Sequence, residues 1–119
     1  MKKILICDHE QLFNNSLKKT FERQGFSVYY TSRLAEVIKH VLNDKFHVIV
    51  MNFDANNMDN IQTFHAIKMI DKDLPVIIIA ERSESSSSLS FVINHAFRFF
   101  MKPVVFEEIK VSVYDAMSL

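Results

Sequence analysis

Short apolar runs alternate five times with longer segments in which apolar residues recur every three or four positions. Ile4 to Cys7 is the first run and reads as a buried strand. From Glu10 to Gln24, Phe13, Leu17 and Phe21 repeat every fourth residue, the stripe of an amphipathic helix, and Gly25 stands where a left-handed cap would close it. Phe26 to Tyr30 is β-branched and aromatic, a second strand. Thr31 or Ser32 can then cap a helix with Leu34, Val37, Ile38, Val41 and Leu42 on one face, and Asn43-Asp44-Lys45 turns the chain back. Val48 to Met51 is the third strand. Asp59 caps a helix bearing Ile61, Phe64, Ile67 and Ile70, which ends before Leu74-Pro75 because a residue preceding proline avoids helix. Val76 to Ile79 is the most apolar strand and belongs in the sheet interior. The serine-rich stretch Ser83 to Ser90 leads into a helix carrying Leu89, Val92 and Ile93; Arg98 to Met101 is a fifth strand, and Phe106 to Met117 a last helix.

Strands alternating with helices, and apolar on both faces, predict an α/β domain whose parallel sheet is covered on each side. Ligands of such sheets bind beyond the carboxyl ends of the strands. That rule selects Asp8-His9-Glu10, Asn52-Phe53-Asp54, Ala80-Glu81 and Lys102-Pro103 as the positions where chemistry would sit.

Composition narrows the class. The 119 residues suit one domain, 1–119, and no linker or internal repeat divides them. Apolar residues make up 49% and charged residues 24%, too apolar for a disordered chain. Lys plus Arg and Asp plus Glu number 14 each, so no overall field draws the chain to nucleic acid or an acidic membrane. Cys7 is the one cysteine, which excludes an intrachain disulfide and a cysteine-built zinc site. Met1-Lys2-Lys3 opens like an export signal, but the apolar run stops at Asp8, and no later run spans a bilayer; a cytoplasmic location is the expectation. With one Gly and two Pro, turns fall to Asn and Asp, which tolerate left-handed backbone.

The four strand-end sites, in this order, resemble the receiver domains of bacterial two-component response regulators. Ile4 to Glu10 is similar to that family's first strand and acidic pair, and Phe46 to Asn60 to its third strand and loop. Leu74 to Ala80 resembles its fourth strand, and Ala96 to Pro103 its fifth with a Lys-Pro ending. The resemblance covers the whole chain. It implies a flavodoxin-like (βα)5 three-layer sandwich with strand order 2-1-3-4-5, and a role in phosphorelay signalling: a phosphoryl group passes from a histidine kinase to an aspartate with the help of magnesium.

This sequence departs from that pattern where the chemistry is done. The phosphoacceptor position holds Asn52, whose amide lacks the anionic oxygen needed to form an acyl phosphate. The bland role for Asn52 is a loop residue bonding to nearby backbone. At the metal site Asp8 remains, His9 takes the second acidic position, and Asn52 brings no charge, so Asp8 and Lys102 sum to zero and magnesium is held weakly or not at all. Glu10 either turns inward or opens the first helix. Ala80 lacks the hydroxyl that would follow a phosphoryl group, which leaves Phe99, at the family's mobile aromatic position, without that trigger. Lys102 and Pro103 are retained; the resemblance implies a cis peptide between them and suggests a constitutive Lys102–Asp8 ion pair.

The expectation is an atypical receiver that acts as an interaction module and is not an enzyme. It would meet a protein partner or a second copy through Leu89–Met117, where Phe91, Phe97, Phe99 and Phe106 gather, with a histidine kinase or output domain as further partners and no membrane or nucleic-acid contact. Two alternatives stand beside it. Asp54 could take the phosphoryl group, although two extended residues displace a carboxylate by roughly 6 to 7 Å. A nucleotide or flavin could bind on the same fold, with Ser85 to Ser88 as the anion site; the first loop, Asp8-His9-Glu10-Gln11, has no glycine cradle and its acids repel phosphate. No cofactor is expected. Cys7 lies within an apolar strand and is expected to be buried and unreactive.

Overall fold

A computed structural model describes residues 2–8, 15–54, 57–81 and 88–118. In chain order these form β1 (Lys3–Cys7), α1 (Ser16–Arg23), β2 (Ser27–Thr31), α2 (Leu34–Asn43), β3 (Val48–Phe53), α3 (Met58–Ile70), β4 (Val76–Ala80), α4 (Ser88–His95), β5 (Arg98–Met101) and α5 (Phe106–Ala116). All the strand pairs are parallel, in the order β2-β1-β3-β4-β5. This is the flavodoxin-like architecture expected, with β3 at the centre and β4 beside it.

The side-chain alternation of each strand splits the core into two layers. Leu5, Cys7, Ile49, Met51, Phe53, Val76, Ile78 and Ala80 face α2, α3 and α4 and pack with Val37, Phe64 and Val92. Ile4, Ile6, Val48, Val50, Ile77 and Ile79 face α1 and α5 and pack with Phe21, Ile109 and Val113. Strands that are apolar at nearly every central position therefore serve both layers at once.

Several element ends differ from expectation, for local reasons. β3 runs two residues past Met51 because β4 pairs with it as far as Asn52↔Ile79 and Phe53↔Ala80. Asn52 is thus a strand residue, not a loop residue. Arg33, not Thr31 or Ser32, is the cap residue of α2; the Thr31 hydroxyl still accepts the Arg33 N–H at 3.1 Å. Asn57, not Asp59, caps α3, its side-chain oxygen accepting the Asp59 N–H at 2.9 Å, and Asp59 sits in the first turn where an acid favours the dipole. The helix expected from Glu10 is described from Ser16, after a left-handed Asn15 (φ 68°); Glu10 itself lies outside the described residues. Gly25 is left-handed as expected (φ 90°). Leu42, read on the apolar face of α2, is exposed, and so are Ile70 and Ile93, the last apolar residues read on α3 and α4. Among the described residues no helix is long and apolar enough to cross a membrane.

Candidate functional site

Parallel register brings two polar side chains together at the carboxyl end of the sheet. Cys7 pairs with Met51 across β1 and β3, so the next residues, Asp8 and Asn52, are neighbours on adjacent strands. Alternation also turns Asn52 toward the α1 and α5 side, the side of Val48 and Val50. The outcome is a direct bond: the Asn52 amide nitrogen donates to an Asp8 carboxylate oxygen at 3.0 Å. Both side chains are buried, Asn52 to 2% exposure. The other end of the amide, Oδ1, is also buried and meets no hydrogen-bond donor among the described residues.

Tyr30 completes the enclosure of Asp8. Its hydroxyl donates to the Asp8 carbonyl at 2.6 Å, and the Asp8 N–H donates to the Thr31 carbonyl at 3.0 Å. Burial, then the Asp8 and Cys7 charges, raise the Tyr30 pKa above its ordinary value. No periodicity or motif marked Tyr30, because its role depends on β2 lying beside β1.

Lys102 follows β5 at the same end of the sheet. Its side chain is 13% exposed, its N–H donates to the Ala80 carbonyl, and its peptide to Pro103 is cis, as the resemblance implied. Among the described residues its ammonium pairs with Glu81 at 3.4 Å rather than with Asp8. Met101 pairs with Ala80, so Lys102 and Glu81 are the next residues on neighbouring strands, whereas β1 is two strands farther away. Ala80 is buried in the layer beneath α4, and Phe99 packs half-buried against that same layer.

Asp54 follows β3, two residues past Asn52. Its N–H donates to the buried Asn60 side-chain oxygen at 3.3 Å, and it lines a cavity of about 360 Å³ with Cys7, Ser32, Leu34, Asn57 and Asn60. Asp8 instead lines a narrow cleft with Ile6, Asn15, Leu17, Lys18 and Tyr30. Cys7 is buried, and burial followed by the Asp8 charge pushes its thiol up to about 11. His9, Glu10 and Ser85 to Ser87 lie outside the described residues. Among those described, no three His, Cys, Asp or Glu side chains converge as a metal site.

A doubly wound sheet with an acid, an amide and a lysine at the carboxyl ends of β1, β3 and β5 defines a class of signalling domain. The match to known sequences agrees: residues 4–114 fit the response regulator receiver domain, and the chain belongs to that family. It is 21% identical to the response regulator MprA of Mycobacterium sp. (strain KMS) over 107 residues, covering 90% of this chain and 46% of MprA. The chain thus spans about half the length of the curated relatives it matches. Among solved structures it is similar to a receiver domain protein from Clostridium thermocellum, with TM-score 0.78, 20% identity, and coverage of 99% of this chain and 95% of that one. It is similar also to the beryllofluoride-activated NtrC4 receiver domain dimer, with TM-score 0.79, 26% identity, and coverage of 99% and 98%.

Proposed function

We propose that this receiver domain of two-component signalling works without phosphorylation, as a protein-interaction module. The observation that carries the reading is the 3.0 Å bond from the Asn52 amide to the Asp8 carboxylate. An aspartate at this position would offer an anionic oxygen to phosphorus. The amide offers a neutral group, and its nitrogen already occupies an Asp8 oxygen that a cation would need. Magnesium requires several oxygen ligands in near-octahedral geometry, usually with one or two carboxylates. One carboxylate facing an N–H donor does not fit that demand, and no step is derived through a metal. The domain is accordingly read as neither an enzyme nor a cofactor carrier.

Asp54 does not restore the function in this reading. It lines a different cavity from Asp8, and in-line transfer tolerates only small errors of position.

The partner surface is assigned to Leu89–Met117, which holds α4, β5 and α5. Ile93, Met101, Val105 and Val111 are exposed there, and Arg98, Phe100, Glu107, Glu108, Val111 and Asp115 line an open cleft between β5 and α5. Apolar residues rimmed by both charge signs suit a protein partner such as a kinase or output domain, rather than nucleic acid. The similar NtrC4 receiver forms a dimer, which supports self-association as another use of the fold.

Amide NMR tests the reading: spectra are recorded with magnesium alone and then with magnesium and beryllofluoride. Unchanged resonances for Asp8, Asn52, Ala80 and Lys102 are expected. Saturable shifts centred on these residues would overturn phosphorylation independence and make Asp54 the first residue to replace.

A further inference from the structure

The outer face of α2 and α3 carries apolar residues that this fold leaves uncovered. Both helices leave the carboxyl end of the sheet and run down the same side of it, so they lie parallel and adjacent. Along α2, Ala35, Ile38 and Leu42 follow the three- and four-residue spacing of one stripe; along α3, Met58, Gln62, Ala66 and Met69 do the same, with Gln62 the one polar member. Leu42 is 64% exposed, Met69 88% and Met58 55%.

This face has relief as well as polarity. Near the helix starts, Ala35 and Ile38 with Asp59, Gln62, Thr63 and Ala66 line an open cleft of about 370 Å³. Two turns further down, Leu42 and Met69 protrude. The face is recessed between the helix starts, beside the exposed Met58, and raised at Leu42 and Met69. A two-fold axis lying in the face and perpendicular to the helices sets α2 antiparallel to α2 of a second copy, and α3 antiparallel to its α3. Leu42 of one copy then falls on Ala35 of the other, and Met69 reaches the end where Met58 and Asp59 stand. Such a contact is isologous and closes after two copies.

Charge follows the same symmetry. Asp59 lies in the first turn of α3 and Lys72 just past its last, both exposed. The antiparallel arrangement brings Asp59 of each copy toward Lys72 of the other, and it opposes the helix dipoles. The polar group in the middle can be covered at little cost, since the Thr63 hydroxyl already donates to the Asp59 carbonyl at 2.7 Å.

We infer that this α2–α3 face is a self-complementary dimer surface, with a second copy of this chain as its occupant. It is separate from the α4-β5-α5 surface assigned above and leaves that one open for another partner. Helices of 10 and 13 residues are about 15 and 20 Å long and pack about 10 Å apart, so each copy offers on the order of 400 Å². Twice that area lies at the weak end of protein interfaces, so the dimer is concentration-dependent.

Sedimentation velocity of the full chain from about 10 μM to about 1 mM reads this directly. A monomer–dimer equilibrium is expected, abolished by Leu42→Glu with Met69→Glu and unchanged by Val111→Glu on α5. The charge pair supplies an independent arm: Asp59→Lys alone and Lys72→Asp alone each weaken association several-fold, and the double exchange restores it. A wild-type chain that stays monomeric throughout overturns the inference. So does a dimer that survives the Leu42/Met69 pair of changes, or one lost on Val111→Glu, which moves self-association to α5.

Discussion

The side-chain amide of Asn52 donates to the carboxylate of Asp8 at 3.0 Å, across two strands that both end at this level of the sheet. A neutral donor thus stands against the one buried carboxylate of the described core. Changing a single atom, nitrogen to oxygen, would convert that bond into a repulsion.

Asn52→Asp is therefore expected to destabilise the domain at neutral pH by about 1–3 kcal/mol, since a charged hydrogen bond is lost and two carboxylates crowd together. One of the pair should take up a proton above the usual carboxylate range, so the loss should shrink as pH falls below about 5. Urea denaturation at the two pH values measures this. The same variant should gain saturable NMR shifts with magnesium; equal stability at both pH values would show that the Asp8 contact carries little energy.

Cys7 should resist modification while the chain is folded. Burial and the adjacent Asp8 raise its thiol to about 11, so little thiolate exists at neutral pH and access is closed. Iodoacetamide labelling followed by mass spectrometry should be slow in buffer and fast in urea. Comparable rates in both would mean that β1 opens readily.

His47 links stability to pH. Its Nδ1 accepts the Lys3 backbone N–H at 3.0 Å, while the His47 backbone N–H donates to the Lys3 carbonyl at 2.9 Å, tying the start of β3 to β1. Burial, assisted by the positive charge of Lys2, lowers the folded pKa below the ordinary 6.5. The folded state then holds fewer protons than the unfolded chain between those two values. The stabilising contribution is present above 6.5 and is lost as pH falls through the folded pKa. His47→Gln, which cannot titrate, should narrow its stability gap to wild type as pH drops from about 7.5 to about 5. A gap that stays constant across that range would remove the imidazole from the acid dependence.

Core and surface positions on the same helix should behave oppositely. Phe64 is fully buried and Met69 is 88% exposed, five residues apart on α3. Phe64→Ala should cost about 3–5 kcal/mol through lost burial and a cavity. Met69→Ala should stay within about 0.5 kcal/mol. Urea midpoints of the two variants, taken well below the concentration at which copies associate, provide the comparison.

The sequence by itself determined the number, kind and order of the elements, because apolar spacing differs between a strand and a helix and each run here is bounded by polar turns. It also selected Asp8, Asn52, Ala80 and Lys102 as the residues to inspect, since each ends an apolar strand. Tertiary structure decided who meets whom among them. Asn52 bonds to Asp8 because β3 extends beyond its apolar run to pair with β4, and because the β1–β3 register sets the two residues side by side. Among the described residues Lys102 meets Glu81, because the β4–β5 register sets the two residues side by side after Ala80 and Met101. Tyr30 closes over Asp8 only once β2 takes its place at the edge of the sheet. Helix faces were legible where a residue enters the core, as with Phe64, and misread at Leu42, because periodicity marks an apolar stripe but not how far the sheet reaches to cover it. Local spacing is a property of the chain alone; register, layer and coverage exist only after distant segments have paired.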